Sequence, residues 1–161
     1  MTTIAAAPRP QEIADRVHAY IQPHGGWCVS NAGVLVGRKE VTLVDTAATE
    51  SRNRALRTAV GRLTSAPPRT VINTHHHGDH TNGNGLFACG AGGAADVVVA
   101  HDLAREAVSV TGAALQRRWP DTDWGDLTVT LPTLTFPDEL TLYVDDLTVE
   151  LIHGGPAPHH Q

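Results

Sequence analysis

Short apolar runs alternate with turn residues in the first part of the chain. Residues 12–21 alternate weakly and predict an edge strand, and the runs 26–30, 34–36 and 41–45, separated by Gly, Asn and charged turns, predict a hairpin meander. Residues 49–63 then show a helical period, with Thr49 or Ser51 as the cap and Pro67-Pro68 as the stop. The pattern therefore predicts antiparallel strands followed by a helix.

The second part of the chain predicts further strands and helices in alternation. Residues 70–73 and 97–100 are short β-branched runs, 102–115 have a helical pattern, 119–126 form a polar loop, and 127–152 alternate like two or three strands. The glycines between 83 and 93 predict a flexible stretch. Since no linker or repeat divides the chain, we expect a disordered segment 1–10 and one α/β domain over 11–161, with a mixed sheet and flanking helices.

Composition narrows the function classes. The chain has 161 residues, 41% apolar and only 4% aromatic, so the core must rest on Val, Leu, Ile and Ala. A net charge of -5 with no clustered basic stripe argues against nucleic acid, and Arg52, Arg54, Arg57 and Arg62 fit the solvated face of a helix. No segment resembles a membrane span or an export signal, which predicts a cytoplasmic protein. Cys28 and Cys89 are expected to be small buried hydrophobes.

One six-residue run carries the chemistry. His75-His76-His77-Gly78-Asp79-His80 follows the strand 70–73 and places four metal-ligand side chains, His75, His77, Asp79 and His80, within six residues. Alternate side chains of an extended segment point the same way, so His75 and His77 can share one metal while His76 points elsewhere. Gly78 permits a turn that directs Asp79 and His80 towards a second ion. Imidazole with carboxylate favours zinc, with iron or manganese as alternatives.

This run and its surroundings resemble the metallo-β-lactamase-fold hydrolases. The resemblance covers the strand and metal run from Val71 to Asn84, the paired strands 31–36 and 41–46, and the strand before His101. It implies the first half of an αββα sandwich and a zinc-dependent hydrolase, in which metal-activated water attacks an ester, thioester, lactam or phosphoester of a small molecule. His75 and His77 would bind one zinc ion with a later histidine, and Asp79 and His80 a second, with Asp79 also catalytic. Asp45 would hold a ligand histidine by a hydrogen bond, or else serve only in a turn.

The C-terminal residues depart from the family pattern. Where relatives have His-Thr after Gly-Pro-Ala, this chain has Pro158-His159-His160-Gln161 after Ala157. The codons GCC CAC ACC ACC AAC encode Ala-His-Thr-Thr-Asn, and one C inserted after GCC changes them to encode Ala-Pro-His-His-Gln. We therefore expect a frameshifted or truncated product, with a natural terminus as the alternative and His159 and His160 as candidate late ligands. Such a chain would either act as a zinc hydrolase or bind metal weakly without catalysis. Its incomplete sandwich would expose an apolar sheet face, through which it would self-associate.

Overall fold

The computed structural model describes residues 8–23, 26–88 and 97–155. Nine strands are present in this part of the chain: β1 (Arg9–Ala14), β2 (Val17–Ile21), β3 (Ala32–Val36), β4 (Val41–Val44), β5 (Pro68–Ile72), β6 (Val97–His101), β7 (Leu134–Phe136), β8 (Glu139–Val144) and β9 (Leu147–Ile152). The helices are α1 (Glu50–Leu63), α2 (Gly78–Thr81), α3 (Asn84–Ala88), α4 (Asp102–Thr111) and α5 (Ala114–Arg118). No helix of the described segments is long and apolar enough to cross a membrane.

Strands β1 to β7 form one sheet in chain order. The strands from β1 to β4 pair antiparallel, and those from β4 to β7 pair parallel. The change follows from the connections, because turns and one loop join the antiparallel strands whereas α1 provides the crossover from β4 to β5. The predicted mixed sheet with flanking helices is confirmed.

Each face of this sheet has its own apolar core. On one face, α1 packs through Leu56 and Val60 against sheet residues that include Leu43, Val71 and Val98. On the other face, the β8–β9 hairpin lies over a smaller group: Ile72, Val99 and Phe136. Alternate residues of a strand therefore pack into the cores on opposite faces of the sheet. The described residues form a helix layer, a large sheet and a two-stranded second sheet.

Several predicted elements differ in the structure. The single strand predicted over 12–21 is two strands joined at Arg16, whose φ of 60° makes the tight turn between them. Residues 26–30 form no strand among those described, and the helix predicted over 102–115 breaks after Thr111 and resumes at Ala114. Strand β1 begins at Arg9, before the predicted domain start at residue 11.

Only some of the cysteines and glycines with predicted properties lie in the described part of the chain. Cys28 is half-buried in a loop, with a φ of 52°, so it is less enclosed than expected. Residues 84–88, expected to be flexible, form helix α3. Cys89, the glycines at 90, 92 and 93, and the tail that contains His159 and His160 lie outside the described residues.

Candidate metal centre

The histidine run begins where β5 ends. Asn73 and Thr74 follow the strand, the chain bends at residues 74–76, His77 is extended, and Gly78 opens the short helix α2 that carries Asp79 and His80. Asp45 directly follows the neighbouring parallel strand β4. Because parallel strands end at a common edge of the sheet, the carboxylate of Asp45 and the histidine run meet there.

Three imidazoles converge at this edge. The ring centroid of His75 lies 4.1 Å from that of His80 and 4.7 Å from that of His77. Asp45, His75 and His80 each offer one ligand atom, a carboxylate oxygen or an imidazole nitrogen. These three atoms lie within 4.8 Å of one another, a spacing that one ion can bridge. Nitrogen and oxygen donors of this kind suit zinc, so the residues present fit the ion that the sequence predicts.

Asp45 holds the run by three hydrogen bonds. Its carboxylate accepts the backbone N–H of Thr74 at 2.8 Å and the Thr74 hydroxyl at 2.7 Å, and Oδ2 lies 2.9 Å from Nδ1 of His80. The residue is only 5% exposed, so these bonds lie largely out of water. The contact between Nδ1 of His80 and Asp45 fixes the orientation of the imidazole ring.

Backbone contacts fix the position of His80. Its carbonyl oxygen accepts from the backbone N–H of Thr46 at 2.9 Å, the Thr46 hydroxyl at 2.8 Å and Nδ2 of Asn73 at 3.2 Å. Asn73 in turn exchanges two amide hydrogen bonds, 2.8 and 3.0 Å, with Asn84, which is fully buried. These contacts tie α2 to the ends of β4 and β5.

Asp79 lies on the other side of His80. Its Oδ2 is 3.4 Å from Nε2 of His80, and its backbone carbonyl accepts the hydroxyl of Ser30 at 2.6 Å. Ser30 belongs to the loop that joins β2 to β3, so that loop also contacts the site. His80 therefore lies between two carboxylates, one at each ring nitrogen.

The charges of this group are strongly coupled. Burial opposes a charge on His80, but hydrogen bonds and attraction from Asp45 and Asp79 outweigh it and raise the pKa of His80 to about 9. Burial lowers the pKa of His75, and the neighbouring His80 and His77 lower it further. Burial tends to raise the pKa of Asp79, yet the hydrogen bond and charge of His80 lower it on balance. The arrangement therefore stabilises a positive charge at His80.

The structure brings the predicted residues together but groups their ligand atoms differently. His75, expected to pair with His77 in one half-site, also lies beside His80, which was expected in the other. Asp45, expected only as a hydrogen-bond partner or a turn residue, joins the candidate group itself. The individual ligand roles of His75, His77, Asp79 and His80, and the catalytic role of Asp79, stay predictions.

Sequence patterns did not reveal the polar residues that support the run. Thr46, Asn73, Thr74 and Asn84 hold Asp45 or His80 in place, but each looks like an ordinary turn residue in the sequence. One signal in the sequence was the pair Asn73-Thr74, which lies between an apolar strand and the first histidine. Polar side chains at the end of a buried strand need hydrogen-bond partners, so this pair could have been predicted to support the run.

Comparisons with known proteins agree with this geometry. Residues 25–89, which include Asp45 and the histidine run, match the family model of the metallo-beta-lactamase superfamily. The DIM-1 metallo-beta-lactamase has a TM-score of 0.67 at 16% identity, over 94% of this chain and 60% of that one. The stereoselective inverting sec-alkylsulfatase Pisa1 from Pseudomonas sp. has a TM-score of 0.65 at 19% identity, over 90% and 27%.

A third similar structure is a beta-lactamase domain protein from Burkholderia ambifaria, with a TM-score of 0.63 at 19% identity, over 91% of this chain and 49% of that one. The chain thus spans between about a quarter and three fifths of the length of these proteins. At such identities the likeness establishes the fold, and the family match places the histidine run within it. Together they identify the chain as a protein of the metallo-β-lactamase fold.

Proposed function

We propose that this chain provides the metal-binding half of a zinc-dependent hydrolase that acts on a small molecule. The observation that carries the proposal is the convergence of Asp45, His75 and His80 at one edge of the sheet, with ligand atoms within 4.8 Å. The His77 ring lies 4.7 Å from that of His75, which supplies a further nitrogen donor near the three. Two proteins of similar structure are a metallo-beta-lactamase and an alkylsulfatase, so the same fold accommodates different substrates.

His75, His77 and His80 would hold the ion together with Asp45, whose carboxylate also orients the His80 ring. A bound zinc ion would supply Lewis-acid activation of water and of the substrate's reacting oxygen. Asp79 would contribute separately: its carboxylate lies beside His80 and can orient a water molecule by accepting its hydrogen bond. Asp45 keeps the His80 ring in one orientation through the contact at Nδ1.

Zinc content tests the first part of the proposal. Purified chain stripped with a chelator and dialysed against zinc should retain the metal, and the double variant His75→Ala/His77→Ala should lose most of it. His18→Ala is a matched control, because it removes an imidazole from β2, away from the run. Equal zinc in the wild type and the double variant, by elemental analysis, would contradict the assignment.

Hydrolysis tests the second part. The zinc-loaded chain should be assayed against an ester, a thioester, a β-lactam and a phosphoester, with Asp79→Asn as the comparison. Turnover that needs zinc and falls in Asp79→Asn supports the enzyme. Zinc binding without turnover of any of the four would instead favour the alternative of an inactive chain that only binds metal.

A further inference from the structure

A cavity adjoins the histidine run. Its volume is about 610 Å³, and one end is formed by Thr74 and the three consecutive histidines. Another wall comes from helix α4, and a side wall comes from His101 and His153 at the ends of β6 and β9. The lining residues beyond the run are His101, Leu103, Ala104, Ala107, His153 and Gly155.

The helix wall of this cavity is aliphatic. Ala104 packs into the protein and is only 9% exposed, whereas Leu103 is 56% exposed although it lies beside the cavity. Ala107, one turn after Leu103, is half-buried. A leucine on this wall with more than half of its surface in water gains free energy when an apolar group covers it.

The side wall formed by two imidazoles is flat. The backbone N–H of Leu103 donates to Nδ1 of His101 at 3.1 Å, so Nδ1 carries no proton, and Nε2 donates to the carbonyl of Pro137 at 2.6 Å. Both bonds together require the neutral ring. His153 stacks on this ring with centroids 3.7 Å apart and planes 22° apart. Apart from these two, the titratable residues that line the described part of the cavity are His75, His76 and His77.

We propose that this cavity binds the apolar acyl chain of a carboxylic ester or thioester. The chain would lie along Leu103 and Ala107, and the scissile carbonyl would lie at the end formed by His75 and His77. This inference rests on the proposed function and specifies its substrate class. The aliphatic wall matches a hydrocarbon chain, and the stacked imidazole pair offers a flat surface to it.

Binding of primary amides tests the cavity without catalysis. Acetamide, butanamide and hexanamide carry the acyl group but are stable probes, so each can be titrated into the metal-free and the zinc-loaded chain by NMR. We expect Kd to fall by about fourfold for each added methylene, because each one leaves water. The largest shift changes should fall on the signals of Ala104 and Ala107. Affinity independent of chain length, or shift changes elsewhere, would overturn the proposal.

Two variants of α4 make the test specific. Leu103→Asp places a carboxylate on the wall and should weaken hexanamide binding by roughly tenfold. Val110→Asp is the matched control, since Val110 is 74% exposed on the same helix but does not line the cavity. Ala107→Leu fills part of the cavity and should shift the preference from hexanamide to acetamide. Equal loss in both Asp variants would overturn the proposal, as would an unchanged preference in Ala107→Leu.

Hydrolysis separates this inference from the proposed function. If the amides bind as expected but no ester is hydrolysed, the cavity assignment holds and the enzyme assignment fails. If zinc-dependent turnover occurs with the same rate for acetyl, butyryl and hexanoyl esters, and the amides show no preference for length, the enzyme assignment holds and the acyl pocket is wrong.

Discussion

Asp45 adopts a backbone conformation that non-glycine residues use sparingly. Its φ is 63°, in the left-handed region, at the end of β4. This conformation turns its carboxylate towards Thr74 and His80, and the backbone N–H of Asp45 still bonds to the carbonyl of Ile72 at 2.7 Å. Such strain is retained where surrounding contacts determine it, and it concentrates at functional sites. The three bonds to the carboxylate supply those contacts here.

Replacing this carboxylate should weaken zinc binding without unfolding the chain. Asp45→Asn keeps the size of the side chain but removes the charge that orients His80, and we expect zinc affinity to fall roughly 10–100-fold. Competition with a chromogenic chelator measures the change. Asp121→Asn, in an exposed loop, makes the same change in net charge. Equal affinity in the two variants would show that Asp45 has no part in the site.

Cys28 should react slowly with alkylating agents. Burial raises the pKa of its thiol to about 11, and the negative charge of Asp79 adds to the increase, while Arg52 opposes it. Only the thiolate is nucleophilic, so at pH 8 the folded chain should react with iodoacetamide roughly 100-fold more slowly than the urea-unfolded chain, and the rate should rise as the pH approaches 11. Metal-free Cys89→Ser protein isolates this thiol. A rate that levels off near pH 8.5 would contradict the expectation.

At the residue scale, the sequence predicted those site residues that lie close together in the chain. His75, His77, Asp79 and His80 are adjacent in the chain, so their proximity needs no tertiary contact. Asp45 is 35 residues from His80, and its contact depends on β4 and β5 being parallel neighbours. Asn73 and Asn84 were not predicted, because amides in polar segments have no distinctive pattern until burial forces them to pair.

At the element scale, Gly83 occupies a junction between α1 and the segment after α2. A Cβ at Gly83 would lie 2.1 Å from Oδ1 of Asn53 and 2.7 Å from Cβ of Thr46. Asn53 is fully buried and holds the turn before α1 by hydrogen bonds to Ala47 and Thr49. Helix α1 and the segment after α2 therefore pack together at Gly83, where only glycine fits.

A pair of glycine substitutions tests this junction. Gly83→Ala should lower the free energy of unfolding by about 1–3 kcal/mol, because neither Asn53 nor Thr46 can move without losing its bonds. Gly61→Ala, in the exposed last turn of α1, meets nothing within 4 Å and should raise it by roughly 0.5–1 kcal/mol. Urea titrations of both variants measure the difference. A stability of Gly83→Ala equal to that of the wild type would mean that the junction is loose.

The long elements were predictable, and the short ones were not. Helix α1 has a regular apolar period, its cap Thr49 accepts the backbone N–H of Arg52, and its end precedes the two prolines. Helices α2 and α3 have only 4 and 5 residues, too few to show a period, and their sequences contain glycine and asparagine. Tertiary bonds, such as that from the Asn82 side chain to the carbonyl of Ala48, hold this region instead.

At the scale of the whole molecule, the second face of the sheet is partly covered. The sequence resemblance predicted an apolar face left open, but the β8–β9 hairpin packs Leu140, Leu142, Val149 and Leu151 over it. Arg16 in the β1–β2 turn bonds to Asp146 in the hairpin turn at 2.7 Å, which fixes the far end of the hairpin. The self-association expected from the sequence would therefore require the hairpin to detach from this face.

Loosening the hairpin should expose the face and promote self-association. Leu142→Ala removes a half-buried side chain from the core that contains Ile72 and Val99, and should lower the free energy of unfolding by about 2 kcal/mol. Tyr143→Ala is the control, because Tyr143 is the next residue of β8 and is 74% exposed on the opposite face. We expect Leu142→Ala to sediment as larger species at rising concentration and to bind a hydrophobic dye, whereas Tyr143→Ala should behave as the wild type. If both variants remain monomeric with equal dye binding, the hairpin does not protect an associating surface, and the self-association predicted from the sequence would have to involve another face.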